Sequence, residues 1–423
     1  MQVVNAIIFI GILVFLAHLF SAIFSRTRIP DALELITIGL LLGPVLGVVT
    51  PEAFGVVGPV FITITLVVIL FESGVGLHPQ SLRQALQGTL TLTTLTFLAT
   101  MLLVGFVTWF LTDLDLLTSI MLGAIVGSVS PAVVVPLVRQ LKMDSHSRTT
   151  LVLESALSDV ISIVIALAIL ETLRVGQLRF GLMMGHLISA FLQAIIFGMV
   201  GAFVWSILLN KIRTLQNAIF TTPAFVFVIF GIVESLGYSG YIAALAFGFT
   251  IGNIELFKLP FLRRYIPHEP IALNETEKVF FAEVVFLLQT FFFVYIGLSI
   301  KLTDLSSVLF GFFLTLLIFA VRIPVVKYTA PKTTSRGDAL YMSIMVPKGL
   351  AAAVLASVPL QEGIVGGELI QNTTYAVVFF SIIFTTCLIF LLEKTKLSQF
   401  YEKIFSDFST SPQTEPEKIR TYE

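Results

Sequence analysis

An all-α polytopic membrane protein with about thirteen transmembrane helices is the fold class that three observations predict. The 423 residues are 57% hydrophobic and only 12% charged, whereas a soluble domain carries about 25% charged residues. Apolar runs recur along the chain, each near the roughly 20 residues that cross a hydrocarbon layer. Connections rich in basic residues alternate along the chain with connections poor in them, as threading through a membrane requires.

The runs fall near 3–24, 31–49, 55–77, 88–111, 116–141, 149–172, 181–209, 217–236, 239–257, 274–300, 305–329, 337–360 and 371–393. Sorted by connection, 20 of the 25 lysines and arginines lie on one side, from Arg26 and Arg28 to Lys418 and Arg420. Three lie on the other, Arg174, Arg179 and Lys301, while Arg322 and Lys348 fall inside spans. Positive connections stay in the cytoplasm, so the expected orientation in a cell (inner) membrane is N-terminus outside and C-terminus cytoplasmic. A missed helix would scramble this alternation. Acidic or neutral turns, TPE at 50–52, TDLD at 112–115 and QEG at 361–363, take the opposite face. Residues 1–395 therefore read as one transmembrane domain and 396–423 as a short polar tail, disordered from 404 onward. The first run lacks a basic leader and reads as a retained helix. Cys387 is the single cysteine, which excludes a disulfide within one chain, and the five histidines show no metal-ligand spacing.

Two spans are interrupted at mid-depth. Span five reads GAIVGSVSPAVVVPLVRQL, with Ser128, Ser130 and Pro131 near its middle. Span twelve reads ALYMSIMVPKGLAAAVLASVPL, with Pro347, Lys348 and Gly349 there. Proline deletes a backbone hydrogen bond and glycine weakens a helix, so both spans should unwind at these points. Unwound backbone at membrane depth must be buried in protein or line a cavity. An odd separation of seven spans makes the two antiparallel, and paired broken helices in antiparallel halves mark an inverted repeat with a binding site at the crossing.

The stretch LVLESALSDVISIVIA, residues 151–166, carries Glu154 and Asp159 within an otherwise apolar span. A charge near a helix centre costs about 2.5–3.5 kcal/mol on insertion scales, so two cost roughly 5–7 kcal/mol. At 100° per residue, Ser155, Asp159 and Ser162 share one face, while Glu154 and Ser158 share another. The two acids should therefore have different jobs. Asp159, flanked by hydroxyls, offers hard oxygens to a small alkali cation or a proton. Glu72, in LFESGVGL, is a third intramembrane carboxylate. Glu154 has a natural partner in Arg322 of FAVRIPVV, because a buried guanidinium keeps its charge and a carboxylate is its cheapest neighbour. Lys348 either compensates the carboxyl-terminal dipole ends at the breaks or pairs with an acid.

These motifs resemble the monovalent cation:proton antiporter superfamily, nearest its NhaP-type bacterial Na+/H+ antiporters and NHE-type exchangers. The likeness runs over residues 5–395 and is carried by LESALSDVIS and FAVRIPVV, with IPDALELITIGLLLGPVLG, LFESGVGLHPQSLR and GSVSPAVVVPLV in support. The resemblance implies an antiporter fold in which a core bundle moves against a dimerisation bundle, working as a homodimer. It implies that Asp159 binds cation and proton competitively. Ser155, Glu72, Ser130, Ser158 and the Val129 carbonyl become further cation contacts, and Glu154 with Arg322 a structural pair. Ser158 stands where this branch usually carries Asn and the electrogenic branch Asp. With one acid beside the break, the resemblance implies electroneutral exchange.

The expected function is thus secondary exchange of Na+ (or Li+) for H+ by alternating access, with K+/H+ exchange as the alternative. A charged, empty Asp159 is too costly to carry through a hydrophobic barrier, so only loaded states cross. No cofactor and no nucleic-acid partner is expected; Na+ at Asp159 is cargo. A membrane hydrolase is disfavoured by the lack of GxSxG and of His-Glu zinc spacing.

Overall fold

The computed structural model describes residues 11, 15, 18–19, 31–49, 51, 57–76, 88–175, 180–212, 220–238, 240–254, 273–301, 304–394 and 403–409. The first expected span, 3–24, and many of the basic connections lie largely outside the described residues. The remaining twelve expected spans coincide with helices. In chain order these are α1 (Asp31–Leu40, continued by a π-turn at Leu41–Val45), α2 (Val57–Gly76), α3 (Gly88–Leu111), α4 (Leu116–Ile125), α5 (Pro131–Gln140), α6 (Ser145–Val175) and α7 (Phe180–Ile212). They continue as α8 (Thr221–Ser235), α9 (Gly240–Gly252), α10 (Glu275–Ser299), α11 (Leu305–Thr329), α12 (Arg336–Ile344), α13 (Leu350–Gln361) and α14 (Gly367–Lys394). Spans five and twelve are each split, into α4/α5 and α12/α13. Six of the described helices are long and apolar enough to cross a bilayer alone.

Polar residues in the turns start the helices. Asp115, the last residue of the TDLD turn, accepts from the N–H groups of Leu117 (3.0 Å) and Thr118 (3.2 Å), capping α4. Asn274 and Glu277 form a reciprocal capping box at α10, and Ser335 Oγ accepts from Asp338 N–H at 3.0 Å to start α12. Each such cap satisfies donors that a helix start leaves open.

The helices sort into two packed groups. One contains α1, α2 and α7–α10, held by extensive α2–α9, α7–α9 and α1–α10 contact; the other contains α3–α6 and α11–α14. Lipid supplies no hydrophobic drive between helices, so close approach by small residues takes its place. At the α1–α10 crossing a methyl on Gly39 would strike the Val294 carbonyl, and one on Gly297 the Ile36 carbonyl. The second group has the crossing of α4/α5 with α12/α13 at its centre.

Residues 404–409 depart from their expected disorder, while 410–423 lie outside the described residues. Within residues 403–409, Phe405 and Phe408 are buried, their rings 5.6 Å apart. Arg336 donates to the carbonyls of Ser406 (2.8 Å) and Phe408 (3.2 Å), and its backbone N–H to Ser409 O (2.9 Å). Lys332 Nζ lies 4.2 Å from the Phe408 ring centre. Two aromatic side chains three residues apart supply enough apolar surface to dock this piece on the α11–α12 turn, whatever the polarity around them.

Asp304, in the turn before α11, accepts from Ser306 Oγ (2.6 Å), Ser307 Oγ (2.5 Å) and Ser307 N–H (3.2 Å). These donors, the Ser306 and Ser307 hydroxyls first, hold its carboxyl at about 2 against an ordinary 3.8. Asp304→Ala should lower thermal stability in detergent by about 1 kcal/mol. A carboxyl with a depressed folded pKa stabilises fully above its ordinary value and loses that contribution as pH falls through about 2. The gap in melting temperature between wild type and variant should therefore close toward pH 2.

Candidate functional site

Each break leaves carbonyls without partners at the end of one half-helix and N–H groups without partners at the start of the next, and water cannot supply them at this depth. In the first break, Val129 N–H donates to Ser158 Oγ (3.0 Å), and Ser162 Oγ donates to the carbonyls of Ala124 (2.7 Å) and Ile125 (3.3 Å). In the second, Lys348 N–H donates to Ser381 Oγ (2.9 Å), and Thr385 Oγ1 to Ile344 O (3.4 Å). The two braces mirror each other. A hydroxyl pair four residues apart, on α6 or on α14, clamps the N–H two residues before the new half-helix and the last carbonyl of the old one.

The breaks also hold one another. Ser130 N–H donates to Pro347 O at 2.8 Å, and the fully buried Lys348 places Nζ 2.8 Å from Ser128 O. That carbonyl lies just past the carboxyl-terminal end of α4, where a cation is favoured. A methyl on Gly349 would run into Ser130 Oγ, with Ser130 Cβ at 2.5 Å. Glycine is required here by close approach.

Glu154 and Arg322 are in contact and fully buried. The pairing is bidentate: Arg322 Nη1 to Glu154 Oε1, and Nη2 to Oε2 at 2.7 Å. Arg322 Nε also donates to Met342 O (3.0 Å), near the end of α12, and Nη1 to Thr96 Oγ1 of α3 (2.6 Å).

Asp159 sits on another face of α6, half-buried, with the Ser128 hydroxyl as its hydrogen-bonding neighbour. It opens onto a cavity of about 290 Å3, whose polar wall comprises Asp159, Ser130, Glu72 and Gln289. The apolar wall includes Ile69, Val285, Phe286 and Leu350. The helices meet there by their positions: α5 and α13 begin at the wall, α2 contributes its last turns, and α10 the stretch 282–289 around its middle. Among the described residues no cluster of His, Cys, Asp or Glu could hold a resident metal.

Of the residues expected beside a cation, Asp159, Glu72 and Ser130 line this cavity, whereas Ser155, Ser158 and Val129 do not. Ser155 is fully buried and donates to Val152 O of its own helix at 2.8 Å. Ser158 Oγ receives the Val129 N–H and donates to Ser155 O (3.1 Å), so both its hydrogen-bonding directions serve the brace. Sequence reasoning missed Gln289, Thr96, Ser381 and Thr385. The Ser381/Thr385 spacing repeats Ser158/Ser162, and Gln289 interrupts a long apolar run; both signals were present in the sequence.

The profile of the sodium/hydrogen exchanger transmembrane family matches residues 11–394. The chain belongs to this family. Among individual members, the K(+)/H(+) antiporter NhaP of Alkalimonas amylolytica is 26% identical over 399 residues, 91% of this chain and 66% of that protein. The chain thus spans just under two thirds of that relative. The probable Na(+)/H(+) antiporter 2 of Methanocaldococcus jannaschii is 26% identical over 384 residues, covering 85% of this chain and 86% of the relative. In three dimensions the exchanger-family chain is similar to the sodium proton antiporter MjNhaP1 from Methanocaldococcus jannaschii at pH 8, with a TM-score of 0.72 and 22% identity over 92% of this chain and all of the other. That likeness establishes the antiporter fold.

Two substitutions test the geometry. Arg322→Ala strands Glu154 in the interior and should destabilise by about 3–5 kcal/mol, read as a lower melting temperature or loss of folded protein. Gly349→Ala should cost about 1–3 kcal/mol by overpacking, and a Ser130→Gly background should recover part of it, because the clash is with that side chain.

Proposed function

We propose that this exchanger-family chain trades a monovalent cation, Na+ or Li+ foremost, for H+ across a membrane, with Asp159 binding the two in turn. The observation that carries this reading is the placement of Asp159: a carboxylate at the wall of a cavity, at the crossing of two broken helices. Glu154, five residues earlier, is locked to Arg322 and has no free oxygen for cargo. Among the described residues Asp159 has no such ion pair; its neighbour is a hydroxyl, and the nearby Lys348 donates to the Ser128 carbonyl. One carboxylate can hold a proton or a cation, and an unloaded charge at this depth costs several kcal/mol. Exchange follows if only the loaded forms move.

Glu72 and Ser130 are the further oxygens within the cavity that a cation would meet. Ser158 supports the site from behind by accepting the Val129 N–H, which holds the backbone that carries Ser130, while the Ser155 hydroxyl bonds within α6. Alternating access follows if the group carrying Asp159 shifts against the group carrying Glu72. In this reading the chain is a homodimer in the cytoplasmic membrane with its C-terminus inside, an orientation supported by the 20-to-3 bias of basic residues. K+ is the second reading, supported by relatives named as K(+)/H(+) antiporters.

The test is cation-induced collapse of an imposed pH gradient in proteoliposomes, wild type beside Asp159→Asn, with Na+, Li+ and K+ added separately. Wild type should respond and the variant should not, with both melting within a few degrees of each other. Exchange retained by Asp159→Asn would sink the assignment. With one acid beside the break, the rate should be the same whether the membrane potential is clamped at zero or imposed; a rate that follows the potential would rule out electroneutral exchange.

A further inference from the structure

One polar side chain in the cavity wall has no part in the mechanism above. Gln289 lies near the middle of α10, in the run FLLQTFFFV, within a helix apolar enough to cross a bilayer. Ala282, Val285, Phe286 and Gln289 face the cavity at spacings of three and four, a single stripe of that helix. Three of the four are apolar. The Gln289 carboxamide is half-buried and makes no hydrogen bond among the described residues. A carboxamide at mid-span with neither donor nor acceptor satisfied is costly, and it is accommodated here because it faces a cavity. Across that cavity are Asp159 and Ser130, which belong to the other helix group; Glu72, on α2, shares the group of Gln289.

We propose that Gln289 is a specificity-determining residue of the cation site, its carboxamide oxygen serving as the neutral ligand that a monovalent cation meets beside Asp159. The inference rests on the exchange reading above and deepens it. A carboxylate neutralises any alkali cation, whereas the number and spacing of neutral oxygens set which partly dehydrated ion fits. An amide oxygen on a three-bond stem is such a ligand and adds no charge, so proton binding at Asp159 does not require it. Because Gln289 stands on α10 and Asp159 on α6, the ligand set is complete only while the two groups hold this arrangement.

The experiment measures exchange rate against Na+, Li+ and K+ concentration in proteoliposomes for wild type, Gln289→Leu, Gln289→Met and Gln289→Glu. Leu and Met remove the oxygen, and Met also keeps the side-chain length should Leu fail to fold. Both should raise the KM of the preferred cation about tenfold, the effect of one lost bond to a charge, and flatten the ranking of the three ions. The kcat should stay within about twofold, the signature of lost ground-state binding. Gln289→Glu retains an oxygen and should keep KM closer to wild type than either apolar variant does. Unchanged KM values and ion ranking in the Leu and Met variants overturn the proposal and leave the exchange reading standing. So does a fall in kcat or melting temperature with the ranking intact, which is what a purely structural glutamine would give. Folded wild-type protein that exchanges none of the three cations overturns both.

Discussion

Arg322 and Glu154 neutralise each other where neither could be left alone, and four helices meet because they do. The guanidinium reaches α6 through Glu154, α12 through the Met342 carbonyl and α3 through Thr96, from its own place on α11. A carbonyl near the end of a broken half-helix would otherwise face lipid-like surroundings unsatisfied, at a cost of several kcal/mol. The pair thus removes two penalties together, the isolated charges and the open end of α12. Its planar fork suits this; a lysine has neither the geometry nor enough donors.

Around that fixed point the chain repeats one device twice. A hydroxyl pair one helical turn apart clamps a break, Ser158 with Ser162 in the first half and Ser381 with Thr385 in the second. Superposed by these braces, Val129 corresponds to Lys348, Ser130 to Gly349 and Asp159 to Ile382. The backbone solution is shared between the halves and the charge is not: the first half contributes the acid, the second the buried lysine. The site is asymmetric chemistry on a symmetric frame.

Much of this was legible in the sequence, for reasons specific to lipid. Hydrocarbon forces long apolar runs and sorts basic residues, so twelve spans were locatable from hydropathy and charge. A proline beside serines or glycine at mid-span is expensive enough to announce a break. A buried arginine needs an acid, and only a few were within reach, which singled out Glu154. Helical phase, by contrast, says which way a side chain leaves its helix and not what it meets. It grouped Ser155, Asp159 and Ser162 on one face, yet the hydroxyls turned to Val152 O, within α6, and to the α4 carbonyls, both nearer than the cavity. Gln289 and the α14 hydroxyls needed the partner helix in view before their polarity had a purpose. The docked Phe405 and Phe408 were hidden because mean polarity of a tail says little about two residues within it.

The hydrogen bonds that hold the crossing lie wholly within one packed group, on α3 to α6 and α11 to α14. Any displacement that carries Asp159 past α2 and α10 can therefore leave every one of them made. In hydrocarbon a bond broken in transit finds no water to replace it, so a path that breaks none avoids several kcal/mol of barrier for each bond kept. What remains to be overcome is the sliding of apolar side chains over one another, a shear of packed surfaces that need not unfold any segment. On the exchange reading proposed above, the stiffness of the crossing would thus be a source of speed: the more completely the breaks are satisfied from within, the less a moving group would have to undo.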